Sequence, residues 1–210
     1  MSPSSMASST PRLGLDYAAI VLAGGRSSRL GGTDKAGLAH DGQRLVDGVL
    51  DAVRDARTRV VVGDGPVPPG VLLTQETPRY AGPAAAVAAG LHVALGVTVV
   101  APWIVLLACD LPGVRDGIPA LLAAASRTEQ APDAGSKVGW CLRDESGRLQ
   151  WLFAVVRTAS LQRAVEALGD PADRSMGRLL GGLDLGGLPA PAAVTADIDT
   201  WEDADRWLRQ

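Results

Sequence analysis

Apolar and polar positions along this chain fall into alternating blocks whose lengths and periods read as successive β-strands and α-helices. The apolar run Tyr17–Ala23 predicts a strand that breaks abruptly at Gly24-Gly25. A helix is predicted near Arg44–Arg57, because Leu45, Val46, Val49, Leu50 and Val53 fall along one helical face. Strand Arg59–Gly63 follows, then a Pro/Gly turn at 65–70, a short strand Val71–Thr74, a loop Gln75–Pro83 and an alanine-rich helix Ala84–Leu95. Trp103–Cys109 is apolar throughout, as a central strand covered on both faces should be, and it stops at Asp110-Leu111-Pro112-Gly113.

Beyond this point the pattern predicts a helix Asp116–Thr128, a strand Lys137–Leu142, a polar turn Asp144–Arg148, a strand Trp151–Val156 and a helix Ser160–Leu168. Ser175–Leu183 reads as a short helix, Ala192–Asp199 as a strand, and Thr200–Leu208 as a terminal helix with Thr200 and Asp203 at capping-box spacing. No internal repeat is visible. Strand and helix alternate as repeated β-α units, so the expected fold class is α/β: a single Rossmann-like domain with a mostly parallel, helix-covered sheet. The expected organisation is a disordered serine- and proline-rich tail over residues 1–14 and one domain over residues 15–210.

Composition narrows the function classes. With 210 residues, 47% hydrophobic and only 4% aromatic, the chain suits one aliphatic α/β core. Twenty basic against 23 acidic residues give a net charge of −3, so no global field draws it to nucleic acid or to an anionic membrane. An anionic ligand must be held locally. The only cysteines, Cys109 and Cys141, lie in apolar runs and read as packed thiols, which fits a reducing, cytoplasmic setting. The first residues lack a secretory apolar region, and the 97–109 stretch is too short and interrupted to span a bilayer.

The loop after the first strand carries the strongest chemical signal. Gly24 and Gly25 allow backbone N–H groups to approach phosphates, while Arg26, Arg29 and Lys35 supply positive charge. It is not a P-loop, since Lys35 follows Asp34 and precedes Ala36. The adjacent glycines also miss the spacing of a dinucleotide fingerprint. The loop reads as a triphosphate cradle. Asp110, ending a central strand at the sheet edge where α/β proteins bind ligands, is placed to anchor a hydrated Mg²⁺. Asp197 and Asp199 lie on the same side of an extended segment and are candidates to assist the metal, to bind a polar acceptor, or to cap the following helix. His40 and His92 are poor catalytic candidates, one in a polar turn and one within a helix.

These residues resemble the molybdenum cofactor guanylyltransferase (MobA-like) family of the nucleotidyltransferase superfamily, whose signature after the first strand is Leu-Ala-Gly-Gly-x-x-x-Arg-Met-Gly-x-x-Asp-Lys. The match runs through Leu22–Gly25, Arg29, Gly31 and Asp34-Lys35, with Leu30 in place of methionine. It continues at Asp41-Gly42, Leu45, Gly82-Pro83, Cys109–Pro112 and the 197–200 segment, covering roughly residues 17–208.

The resemblance implies the nucleotide-diphospho-sugar transferase type of fold and GMP transfer from GTP to the phosphate of molybdopterin, with pyrophosphate released. It implies nucleotide contacts at Leu22, Ala23, Gly24, Gly25, Arg26, Glu76 and Gly82. It also implies catalytic charge from Arg29 and Lys35, Mg²⁺ at Asp110, and transient contact with molybdoenzymes or cofactor-biosynthesis proteins. The departures fall on the acceptor side: Gly82-Pro83-Ala84-Ala85-Ala86 lacks a second glycine, Gly147–Leu152 lacks the usual proline pair, and Asp197 and Asp199 stand where asparagines are frequent. Three alternatives therefore stay open: another phosphorylated acceptor, CTP as donor, or a non-catalytic nucleotide-binding paralogue.

Overall fold

The apolar run Tyr17–Leu22 forms β1, buried along its whole length. Its side chains alternate between two cores: Tyr17, Ala19 and Val21 enter one, Ala18, Ile20 and Leu22 the other. This computed structural model describes residues 14–24, 39–40, 43–131 and 137–198. The expected tail over residues 1–14 lies outside these, except for Gly14, and so does the expected helix Thr200–Leu208.

In chain order, β1 is followed by β2 (Ala39–His40) and β3 (Gln43–Arg44), a short antiparallel pair, and then by α1 (Leu45–Ala52). Next come β4 (Arg59–Val62), β5 (Val71–Thr74), α2 (Pro83–Leu95), β6 (Trp103–Ala108) and α3 (Val114–Gln130). The later part holds β7 (Gly139–Arg143), β8 (Leu149–Arg157), α4 (Thr158–Leu168), α5 (Met176–Leu180), β9 (Leu185–Pro189) and α6 (Ala192–Thr195).

The main sheet has seven strands in the order β5-β4-β1-β6-β8-β7-β9. The pairs within β5-β4-β1-β6 are all parallel, and β8 joins antiparallel to both β6 and β7. β9 returns to parallel beside β7. One face is covered by α1 and α3, the other by α2, α4 and α5. The mostly parallel, helix-covered sheet expected from the pattern is the one observed.

Helices lie close to the sheet because the facing residues are small. A Cβ at Gly90 of α2 would come within 2.5 Å of the Ile20 side chain and 2.9 Å of Val62. Gly117 of α3 lies equally tight against Phe153 and Leu142. No helix among the described residues is long and apolar enough to cross a membrane.

Two expectations are corrected. The expected strand Ala192–Asp199 is not formed over its described residues, 192–198: Ala192–Thr195 make one helical turn, and extended backbone resumes at Ala196. The reason is tertiary, since the turn after Pro191 is held by the neighbouring hairpin and packs on Gly113. The strand that completes the sheet is β9, whose Leu-Gly-Gly-Leu-Pro sequence carries little strand propensity of its own. α1 is also shorter than expected, ending at Ala52 with a turn through Val53, though all five apolar residues of its predicted stripe are buried.

Candidate functional site

Backbone pairing brings the loops that leave β1, β4, β5 and β6 to one edge. Ala23 N–H donates to Val62 O at 2.8 Å, Cys109 N–H to Leu22 O at 3.0 Å, and Gly63 N–H to Thr74 O at 2.9 Å. Leu22 and Ala23 are buried and Gly24 is exposed, so the glycine loop begins where β1 reaches solvent. Gly25, Arg26, Arg29 and Lys35 lie outside the described residues.

Gly63 is a determinant that pattern reading passed over as a strand end. Its φ is +153°, and a Cβ there would lie 2.7 Å from Ala23 C and 2.9 Å from both Ala23 O and Gly24 N. Backbone at all three points leaves nothing that can rotate away. The start of the glycine loop is therefore seated directly on the end of β4. Gly63→Ala is expected to lower stability by about 2 kcal/mol, from combined backbone strain and overpacking, as read by chemical denaturation. Unchanged stability would mean that the two loops are not in contact.

Asp110 stands two residues beyond β6, half-buried, at the same edge. The segment carrying Asp197 is pinned against it at successive points. Ala190 N–H donates to Arg143 O at 3.0 Å, and Ala192 N–H to Glu145 Oε1 at 3.2 Å. α6 then packs on Gly113, where a Cβ would lie 2.5 Å from Ala193 O and 2.6 Å from Val194 Cα. Finally Ile198 N–H donates to Asp110 O at 3.1 Å. Ile198 is 1% exposed while Asp197 is exposed, the alternation expected of extended chain. The backbone that carries Asp197 is thus held at Asp110; Asp199 lies outside the described residues.

The hairpin that supplies Glu145 is ordered by Asp144. Its Oδ1 accepts from Ser146 Oγ at 2.6 Å, Ser146 N at 2.9 Å and Arg148 N at 3.0 Å, and its Oδ2 accepts from the Gln150 amide at 2.7 Å. The Ser146 hydroxyl, followed by the other donors, holds the Asp144 carboxyl below its ordinary pKa.

Glu76 and Gly82 both lie in the region between β5 and α2, and both have structural duties there. Glu76 Oε1 accepts the Tyr80 N–H at 2.9 Å, closing its own loop. Asp64, next to Gly63, pairs with Arg79 and accepts from Gln75 at 3.0 Å, tying that loop to the end of β4. Gly82 opens α2 with φ +93° and packs on Asp173 and Arg174. Asp173 N–H donates to Ala81 O at 2.7 Å, and Ala84 N–H to Arg174 O at 3.4 Å.

Both cysteines are buried and neither is in a disulfide; burial pushes the Cys141 thiol up to about 12, away from the character of a nucleophile. His92 is an exposed residue of α2. Among the described residues no three His, Cys, Asp or Glu side chains gather as a metal cluster. The chemistry available at the edge is a carboxylate, Asp110, with the backbone of the Asp197 segment hydrogen-bonded to its carbonyl through Ile198. That suits a hard cation which takes one or two protein carboxylates and completes its shell with phosphate oxygens and water.

The geometry has known parallels. The family described as "MobA-like NTP transferase domain" matches residues 19–185, the span from β1 to β9. A Pseudomonas aeruginosa protein named molybdenum cofactor guanylyltransferase is 31% identical over 163 residues, covering 74% of this chain and 75% of its own. Molybdopterin-guanine dinucleotide biosynthesis protein A of Archaeoglobus fulgidus shares the fold with a TM-score of 0.64 at 17% identity, over 91% of this chain and 97% of that one. A Mycobacterium tuberculosis protein solved as a complex with manganese does so with a TM-score of 0.62 at 20% identity, over 94% and 100%. The match extends through both halves of the sheet and includes the strands that converge on the edge, so this chain belongs to the MobA-like NTP transferase family.

Proposed function

We propose that this chain transfers GMP from GTP to the terminal phosphate of molybdopterin in molybdenum cofactor biosynthesis, with Mg²⁺ as the divalent cation. The observation that carries the proposal is the convergence at one sheet edge of the signature loop's start, Leu22–Gly24, and of the backbone at Asp110, to which the segment carrying Asp197 is hydrogen-bonded through Ile198. The 31%-identical relative named for this activity supports the choice of substrates.

In this reading a phosphate oxygen of molybdopterin attacks the α-phosphorus of GTP, the bond from that phosphorus to the β-bridging oxygen breaks, and pyrophosphate leaves with the electron pair. The attacking phosphate is ionised at neutral pH, so no general base is required. Positioning and charge neutralisation carry the rate. Leu22, Ala23, Gly24, Gly25 and Arg26 receive the nucleotide, with Glu76 and Gly82 shaping the neighbouring wall. Arg29 and Lys35 neutralise the phosphates. Asp110 would hold the cation, and Asp197 and Asp199 would assist it or meet the acceptor; when bound, the cation would supply charge neutralisation for the triphosphate.

A second reading is favoured by one feature. The acceptor-side sequence Pro83-Ala84-Ala85-Ala86 forms a regular first turn of α2 without the extra glycine of the family pattern. That fits a different phosphorylated acceptor, or CTP as donor. A panel of GTP, CTP, ATP and UTP with and without molybdopterin, scored by pyrophosphate release, separates these. Release is expected with GTP and Mg²⁺ only when molybdopterin is present. Release with CTP but not GTP would overturn the donor assignment, and nucleotide binding without turnover for any acceptor would support a binding paralogue.

A further inference from the structure

An open cleft of about 570 Å³ lies between α4 and α5, on the sheet face they share with α2. Ala164 and Leu168 of α4 and Leu179 and Leu183 from α5 and its exit line it with apolar surface. Arg163, Arg174 and Arg178 stand around it, all three exposed.

Arg44, Arg54, Arg57, Arg79, Arg115 and Arg157 each face a carboxylate at salt-bridge distance, and the described arginines that do not include the three gathered at this cleft. Among the described residues, none of the three cleft arginines is in an ion pair; Arg163 donates only to the Ser160 hydroxyl at 3.2 Å. The acidic group at the cleft, Asp184, is already paired with Lys137. A chain with more acidic than basic residues has thus left three guanidiniums unneutralised around one apolar groove.

We propose that this cleft docks an acidic, leucine-bearing segment of a partner protein. The form of the site selects that occupant. A small phosphorylated ligand requires polar donors that converge inside a desolvated pocket. Here the cations are exposed and spread over α4, the turn before α5 and α5 itself, and between them the lining is aliphatic apart from the buried Ser160 hydroxyl, which already accepts from Arg163. An apolar centre with a charged rim is the anatomy of a protein–protein contact, in which rim charges steer encounter and fix register. The cleft also adjoins the candidate site: Asp173 and Arg174, at its α5 end, hydrogen-bond to Ala81 and Ala84 at the start of α2. A segment bound there lies next to the wall of the proposed active edge.

The test is fluorescence anisotropy with a labelled peptide Glu-Asp-Leu-Glu-Glu-Leu-Leu, titrated with the full chain. Binding is expected at micromolar to sub-millimolar concentration, weakening several-fold as ionic strength rises from about 0.05 to 0.3 M. The double variant Arg163→Glu with Arg178→Glu is expected to weaken binding at least about tenfold while leaving basal pyrophosphate release unchanged, since neither residue touches the proposed reaction. Equal affinity in the charge-reversed variant would overturn the proposal, as would equal binding of a peptide with lysines in place of its acidic residues. Displacement of the peptide by inorganic pyrophosphate at equimolar concentration would also overturn it, marking the cleft as a small-anion site.

Discussion

Asp110→Ala is expected to reduce pyrophosphate release by about a thousandfold, equivalent to about 4 kcal/mol of transition-state stabilisation, with the fold intact. The two halves of this expectation have different physical origins. The contact by which residue 110 holds the 197–198 segment is made by its backbone carbonyl, which accepts Ile198 N–H at 3.1 Å and is retained in alanine. Its flanking residues Cys109 and Leu111 are buried and keep the turn in place. The loss therefore falls on the carboxylate, which in the proposed reaction holds the cation against the triphosphate. Steady-state turnover across a Mg²⁺ titration, paired with a thermal melt, checks both halves. Activity within about tenfold of the parent chain would remove Asp110 from the metal role.

The parts of this fold legible in the sequence are those whose structure is set by neighbours in the chain. β1 and β6 are apolar without interruption because both their faces are covered, and α1 announces itself through the spacing of Leu45, Val46, Val49 and Leu50. The parts that were not legible depend on partners far away. β9 is a strand because it pairs with β7 along residues 139–143 and because the Trp140 ring covers Gly186. Ala192–Thr195 is apolar and β-branched enough to pass for a strand, yet it turns because Glu145 receives the Ala192 N–H and Gly113 leaves room for the coil.

The candidate site divides in the same way. Asp110 is marked by the abrupt end of an apolar run. Gly63, by contrast, carries a requirement visible only once β1 and β4 lie side by side. Glu76 fits the family pattern, but its carboxylate closes a loop through Tyr80 N–H, a role that sequence position alone does not reveal. Gly25, Arg26, Arg29, Lys35 and Asp199, the members of the predicted site that lie outside the described residues, rest on the signature, on the glycine loop's chemistry and on strand alternation.

Gly113→Ala is the variant that asks what Asp197 does. Gly113 has ordinary backbone angles, so alanine brings no torsional strain; the whole effect is steric. The added Cβ would meet Ala193 O at 2.5 Å and Val194 Cα at 2.6 Å, both backbone atoms, and the helical turn has to move as a body. The displaced turn leads within four residues to Ile198, so the shift is transmitted to Asp197 while Asp110 remains at the end of β6. A displacement on the order of 1 Å is expected to lower turnover about a hundredfold, with a stability loss of about 1–3 kcal/mol. Gly48→Ala is the control, since a Cβ there meets nothing within 4 Å and lies inside α1, where alanine is expected to stabilise slightly. The two candidate roles of Asp197 then separate kinetically. If Asp197 helps to hold the cation, Gly113→Ala raises the half-saturating Mg²⁺ concentration and leaves the KM for the acceptor near its parent value. If it receives the acceptor, the acceptor KM rises and the Mg²⁺ dependence stays put. Turnover equal to that of the parent chain would mean that the position of the 192–198 segment is irrelevant to catalysis, and Asp197 would leave the site.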